Sequence, residues 1–370
     1  MTGVLTRSRS DLGLAALPAA VQPVLEAVGE RAGEVDRGTA DLWDGLRDLG
    51  AQGLLDAPLP VALELAHALA RRCTPTAFSY WAHRSTIAFH DATGVSCPEG
   101  AATGSVALAS GMAPAFKEEA GLGEVSLAAS EHPEGGLSVS GVLPWCSNLR
   151  PGAWIVTPVR LAGGEDADGG HGPRAVVRIS RDAEGVTVRP LTGLTAMDGT
   201  SSGVLILDGV RIPGSDVISR DLVGFRGRIR APFLLIQTAM CLGLAGAALD
   251  AAAVAADDTS RRVLAEEFDR SAADWESLRS ELVRLAGSGE ELAPRELVAV
   301  RLAAAQLAGA TTGLEQKVAG GRGFALASGT SRRVREAAFL PVQSPTEIHL
   351  RHLLDRAVPD RLEHVPGSRT

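Results

Sequence analysis

Three groups of residues carry types and spacings that suit chemistry. The first is Trp145-Cys146-Ser147-Asn148, at the end of a run that reads as a β-strand. On a strand, residues two apart share a face, so the Trp145 indole and the Ser147 hydroxyl would stand side by side. An indole can cover one face of a flat ring while a hydroxyl bonds the ring's edge. The same pair also suits a core tryptophan beside a turn serine. The second group is Gly320-Gly321-x-Gly323, between two helical patterns. Glycines there let backbone approach a flat or phosphorylated ligand, although a helix C-cap would look the same. The third runs from Arg335 to His352. Its Pro341–Pro345 bend would turn Gln343 and Ser344 out of regular helix. Glu347, His349 and His352 follow on one helix, where Glu347 suits the dipole of the first turn. The two histidines could form a proton-transfer pair or sit at the surface near a subunit contact. At i and i+3, with no third ligand, they do not make a metal site.

The elements that must hold these groups are legible as periodicity. Helical spacing runs through Val21–Arg37, Thr39–Gly50, Pro60–Arg72 and Tyr80–Ala92. Short β-rich runs follow: Ser105–Ala109, Glu124–Ala128, Leu137–Val142, Ala153–Leu161, Ala175–Ser180, Val186–Pro190 and Gly203–Val210. Ala162–Pro173 reads as a loop between strands. Helical patterns return at Ala231–Ala256, Asp257–Gly287, Pro294–Val318, Thr330–Phe339 and Thr346–Ala357. The expectation is an α+β chain in three parts. An N-terminal helical domain spans 1–104, a middle antiparallel β-sandwich or barrel spans 105–225, and a C-terminal four-helix bundle spans 226–370.

Composition narrows the function. A net charge of −8 argues against a nucleic-acid partner. Cys73, Cys97, Cys146 and Cys241 are scattered, which suits free thiols in a reducing cytoplasm rather than disulfides or a zinc site. The N-terminus has no apolar signal region, and the apolar run Ala231–Ala256 is interrupted by Gln237, Thr238 and Asp250. A buried core helix is expected there, not a membrane span, and the expected location is cytoplasmic.

Taken together, these motifs resemble the acyl-CoA dehydrogenase family. Gly141, Trp145, Ser147, Asn148 and Ala153 resemble its middle-domain motif, and Gly199–Pro213 resembles the signature that ends that domain. Phe233–Ala256 is similar to the long first helix of its C-terminal domain. Gly320-Gly321-x-Gly323-Phe324 resembles its glycine turn, with Arg335-Glu336-Ala337 placed 14 residues after Gly321 as in the family. The resemblance covers about Ser105–Arg351. There are departures. Leu108–Lys117 lacks the family's Thr-Glu-Pro-Gly-type loop, leaving Ser110, Gly111 and Met112 to supply backbone contacts. Leu264-Ala265 replaces a Phe-Gly after Arg261 and Arg262, Lys317 stands where glutamine is common, and the N-terminal region is short by about a helix.

The resemblance implies FAD held between the β domain and the bundle in a homodimer or homotetramer. Trp145 and Ser147 would meet the isoalloxazine, with Ser147 at its N5 edge. Arg261, Lys317, Gly320 and Gly321 would serve the rest of the cofactor across a subunit interface. It implies oxidation of the CH–CH group of an acyl thioester, with an electron-transfer flavoprotein as partner. That reaction needs a carboxylate beside the flavin. Nine residues beyond Arg335 the family's base falls at Ser344, whose hydroxyl is no such base, and Glu347 is the possible substitute. Two other functions fit the same fold: a monooxygenase using oxygen and reduced flavin from a flavin reductase, and a catalytically silent subunit paired with an active homologue.

Overall fold

Helix-forming sequence gives way to strands and returns to helices, and the computed structural model, which describes residues 9–162, 172–288 and 292–356, follows that order. Helices α1 (Val21–Asp36), α2 (Trp43–Ala51), α3 (Leu59–Ala70) and α4 (Thr74–Asp91) come first. The apolar residues of α1 recur every three or four positions, and Val21, Val24, Leu25, Val28, Ala32 and Val35 form its buried face. α4 is buried nearly all round. Its polar residues therefore need internal partners. The neutral His83 ring accepts from the Leu108 N–H at 3.1 Å and donates to the Ala101 carbonyl at 2.9 Å, which ties α4 to the start of the sheet.

Eight strands follow: β1 (Leu108–Ser110), β2 (Ala128–Glu131), β3 (Leu137–Cys146), β4 (Trp154–Leu161), β5 (Arg174–Ser180), β6 (Val186–Pro190), β7 (Gly203–Ile212) and β8 (Val217–Ser219), with α5 (Ala113–Glu119) after β1. They form one sheet in the order β6-β7-β3-β2-β4-β5-β8, with β1 paired to β4. The β1–β4 and β2–β4 pairings are parallel, so the sheet is mixed where a wholly antiparallel one was expected. The reason is connectivity. β3 reverses against β2, and the chain reverses again before β4, which then runs with β2. Leu143, Leu205 and Leu207 from one half share a core with Ile155, Val159 and Val177 from the other. The expected loop Ala162–Pro173 lies outside the described residues except at its ends.

The last part contains α6 (Leu222–Ala255), α7 (Asp258–Val263), α8 (Ala265–Gly287), α9 (Pro294–Ala319), α10 (Gly329–Phe339) and α11 (Glu347–Arg356). α6 starts well before the apolar run, capped by the Asp221 carboxylate, which accepts from the Gly224 N–H at 2.8 Å. By length and composition α6 and the stretch Pro294–Phe324 are apolar enough to cross a membrane, yet 94% and 67% of their apolar windows are buried inside the protein. They are packed as core helices. A Cβ at Gly243 would meet the His67 carbonyl oxygen at 2.3 Å, so glycine is what lets α3 lie so close on α6. One core thereby runs through both helical parts, from Leu12 to Leu350.

Candidate functional site

The site begins where β3 and β7 meet. Cys146 pairs with Gly203. Just beyond, the Asn148 N–H donates to the Thr200 carbonyl at 2.9 Å and the Leu149 N–H to that of Ser201 at 3.0 Å. This register brings the Ser147 and Ser202 hydroxyls to 2.7 Å, and Ser202 to 2.7 Å from the Thr200 hydroxyl. Thr200 in turn donates to the Met197 carbonyl at 2.8 Å. Asn148 takes a left-handed φ of 61°, which asparagine tolerates. Its amide donates to the Ser79 and Leu108 carbonyls at 2.9 and 3.1 Å. Those two bonds fix the end of β3 against α4 and β1. Trp145, on the outer side, is 63% exposed.

Trp145 and Ser147 border a cavity of about 560 Å³. Its walls come from α4 (Phe78, Trp81), β1 and α5 (Ser110, Lys117), the loop Leu194–Met197, α6 (Phe233), α10 (Arg335, Phe339) and the bend Val342–Ser344. The inner wall is aromatic. Trp81 packs edge-on to Phe233 at 4.9 Å, Phe78 stacks on Trp81 at 5.1 Å and meets Phe339 edge-on at 5.0 Å. The Trp81 indole N–H is satisfied by the Phe233 carbonyl at 3.0 Å. Among the described residues, the charged side chains lining the cavity are Lys117 and Arg335, and no carboxylate lines it. Arg335 pairs with Asp36 through a 2.7 Å bond and also holds the Thr195 carbonyl at 3.1 Å, which pins the Leu194–Met197 loop over the cavity.

Behind the bend lies a buried polar path. The Ser344 carbonyl accepts from the Gln237 amide at 3.0 Å, and the Gln237 oxygen accepts from Arg301 Nε at 2.7 Å. Arg301 Nη2 donates to the Gln343 oxygen at 3.0 Å. Arg301 is fully buried, and its hydrogen-bond partners are all neutral. The Ser344 Oγ and Gln343 Nε2 atoms are buried without a partner among the described residues.

The arrangement of a helical part, a mixed sheet and a long-helix bundle around this cavity matches solved structures over nearly the whole chain. Butyryl-CoA dehydrogenase from Megasphaera elsdenii matches with a TM-score of 0.77 at 14% identity, covering 93% of this chain and 99% of that one. A glutaryl-CoA dehydrogenase from Mycobacterium smegmatis, solved with FADH2, matches at 0.77 and 12% identity, covering 92% and 95%. The fold is that of the acyl-CoA dehydrogenases. Dibenzothiophene monooxygenase from Paenibacillus sp. A11-2 shares it, with a TM-score of 0.70 at 17% identity and coverage of 92% and 97%. No protein-family model and no curated protein matches the sequence.

Within the acyl-CoA dehydrogenase fold, the sequence-derived residues separate into two sets. Trp145, Ser147, Arg335 and Ser344 converge on the cavity. Arg261, Lys317, Gly320, Gly321 and Glu347 do not line it. Arg261 caps α6 by donating to the Ala256 and Ala253 carbonyls at 3.0 and 2.6 Å. Lys317 pairs with Glu267 at 2.5 Å. Gly320 and Gly321 open a 3-10 turn, Gly320–Phe324, with Gly320 at φ 57°. Glu347, the possible substitute base, accepts from Arg351 at 2.7 Å and from Gln306 at 3.2 Å. Those bonds, Arg351 first, hold its carboxyl below the usual carboxylate range and direct it along α11 instead of into the cavity. Of the three residues expected to offer backbone contacts, only Ser110 lines the cavity. The Gly111 N–H is spent on the Val156 carbonyl at 2.8 Å, and Met112 is fully buried.

His349 departs from the surface position expected for it. It is 2% exposed, and burial pushes it down to about 4. His352 bonds the Ala120 carbonyl at 3.0 Å. The Thr200–Ser202 hydroxyls and the Gln237–Arg301 pair were not picked out from sequence. A lone arginine within the apolar run Leu297–Ala305 was the available signal for the second.

Proposed function

We propose that this chain is a flavin-dependent oxidoreductase that holds FAD against Trp145 and Ser147 and a small-molecule substrate in the aromatic cavity beside Ser344. The residues fit a flavin. A largely open indole is unusual for a tryptophan and offers a flat ring a face, while the Ser147 hydroxyl stands two residues on, just past the end of β3, and borders the same cavity. A bound flavin would supply two-electron chemistry, as hydride acceptor or, when reduced, as donor to oxygen. The chain's own groups would do the rest: Trp81, Phe233 and Phe339 exclude water, Arg335 fixes the covering loop, and Lys117 offers a positive charge to the substrate.

One observation carries the choice of reaction. Among the described residues, no carboxylate lines the cavity, and the motif resemblance aligns Ser344, which does line it, with the base of the acyl-CoA dehydrogenases. Removal of a proton α to a thioester lacks its acceptor here. Oxygenation of a substrate by reduced flavin and oxygen needs no such group, and this is the reading the geometry supports best, with a flavin reductase as partner. Desaturation of an acyl thioester, with an electron-transfer flavoprotein, has in its favour the higher TM-scores of the dehydrogenases, 0.77 against 0.70. Phe324 and Leu326, exposed to 82% and 72%, favour a homo-oligomer.

The test loads the protein with oxidised FAD and mixes it, without oxygen, with acyl-CoA thioesters of graded chain length. The wild type is expected to stay yellow. Ser344→Glu provides the positive arm, since bleaching in the variant alone shows that a thioester fits and that the missing carboxylate is what stops it. Bleaching of the wild type with an enoyl product returns the chain to the desaturation reading. A protein that takes up flavin only when co-expressed with an active homologue is instead a silent subunit.

A further inference from the structure

We infer that the hydroxyl chain Ser147–Ser202–Thr200 fixes Ser147 as a hydrogen-bond acceptor and so makes the site select reduced over oxidised flavin. This rests on the flavin reading above and adds to it which redox form the site is built to take. A hydroxyl has one proton to give and two lone pairs to receive with. Thr200 gives its proton to the Met197 carbonyl at 2.8 Å, because a carbonyl only accepts. At the 2.7 Å contact with Ser202, Thr200 must then accept, so Ser202 donates. Its proton used, Ser202 accepts at the 2.7 Å contact with Ser147. Ser147 therefore donates inward and presents lone pairs to the cavity.

The surroundings hold this order in place. Thr200 is 1% exposed, so water does not compete for its proton. The Thr200, Ser201 and Ser202 carbonyls are anchored by the Asn148, Leu149 and Leu191 N–H groups at 2.9, 3.0 and 2.9 Å. A Cβ at Gly203 would come within 2.9 Å of the Arg189 carbonyl oxygen, so glycine is what lets the strands close up at the junction that sets the spacing.

N5 of an oxidised isoalloxazine carries a lone pair and no proton. Two-electron reduction adds a proton there and makes it a donor. An accepting Ser147 pairs with the reduced ring and sets lone pair against lone pair with the oxidised one. To serve the oxidised ring the whole chain must reverse, giving up the bond from Thr200 to Met197. One neutral hydrogen bond corresponds to about fivefold in an equilibrium constant. Such a preference suits a site that receives flavin already reduced by a separate reductase and releases it after oxidation.

The experiment measures, without oxygen, the Kd of the protein for FAD and for dithionite-reduced FAD, the dithionite supplying the two electrons. Wild type is compared with Ser202→Ala and Thr200→Val, each of which frees Ser147 to turn its proton outward. The ratio of the oxidised to the reduced Kd is expected to fall about fivefold in both variants. For a two-electron couple this equals a drop of about 20 mV in the midpoint potential of the bound flavin. Thr200→Ser keeps the hydroxyl and should keep the wild-type ratio. A purely structural defect weakens both forms alike and leaves the ratio unmoved, and that result, or a rise, overturns the inference. A wild type that binds neither form refutes the flavin reading itself.

Discussion

Ser344 and Arg301 lie at two ends of one short path through Gln237, and burial is what separates their roles. Ser344 borders the cavity, whereas Arg301 is fully buried and donates at 2.7 Å to Gln237 and 3.0 Å to Gln343. A guanidinium with neutral partners is costly to bury, and here Nε and Nη2 make bonds while Nη1 is buried without a partner among the described residues. It acts as a positioning residue for the bend. Arg301→Leu leaves the Gln237 and Gln343 oxygens without that donor and is expected to cost about 2–4 kcal/mol in urea unfolding. If the path is a unit, Gln237→Leu costs less in the Arg301→Leu background than alone, by about 1–2 kcal/mol. Strict additivity would show that the two side chains act independently.

At the scale of elements, what could be read from sequence depended on whether a signal was local. The long helices were legible because a 3.6-residue apolar period is written within each segment: Pro294–Val318 became α9 (Pro294–Ala319). The break that splits Asp257–Gly287 into α7 and α8 falls at Leu264, where no glycine or proline marks it. α5 has seven residues and β8 three, too few to show a period. Strand alternation was visible, but strand neighbours are not encoded in it, so the parallel β1–β4 and β2–β4 pairs were missed. The site divides the same way. Trp145 and Ser147 are close in sequence and were found together. Ser147 and Ser202 are 55 residues apart, and only the β3–β7 register unites them. Ser344 was singled out because its neighbours matched a motif in which serine is the wrong residue.

The molecule as a whole carries buried histidines outside any reaction. Burial pushes His67 down to about 3 and His83 and His349 to about 4, against an ordinary value of 6.5. A depressed value means that the unfolded chain binds protons before the folded one does. The stability these residues preserve is full above pH 6.5 and is lost as pH falls toward 4. These three groups together contribute at most about 4 kcal/mol per pH unit within that window, and His90, also held down by burial, adds in the same direction. Urea unfolding at pH 7, 6 and 5 should show stability falling, and His349→Gln should flatten the fall by about a third. A profile that stays level from pH 7 to 5 would mean that these rings are not held neutral.

The helical parts, the sheet and the cavity between them converge on one claim, that an open Trp145 face beside Ser147 is a seat for flavin. The visible absorption spectrum of the purified protein, titrated with FAD and repeated with Trp145→Ala, tests it most directly. The expected result is a shift in the shape of the flavin band as FAD is titrated into the wild type, and binding weakened at least tenfold in the variant. A wild type in which added FAD keeps the spectrum of free flavin at every concentration, or a variant that binds as tightly, would contradict it.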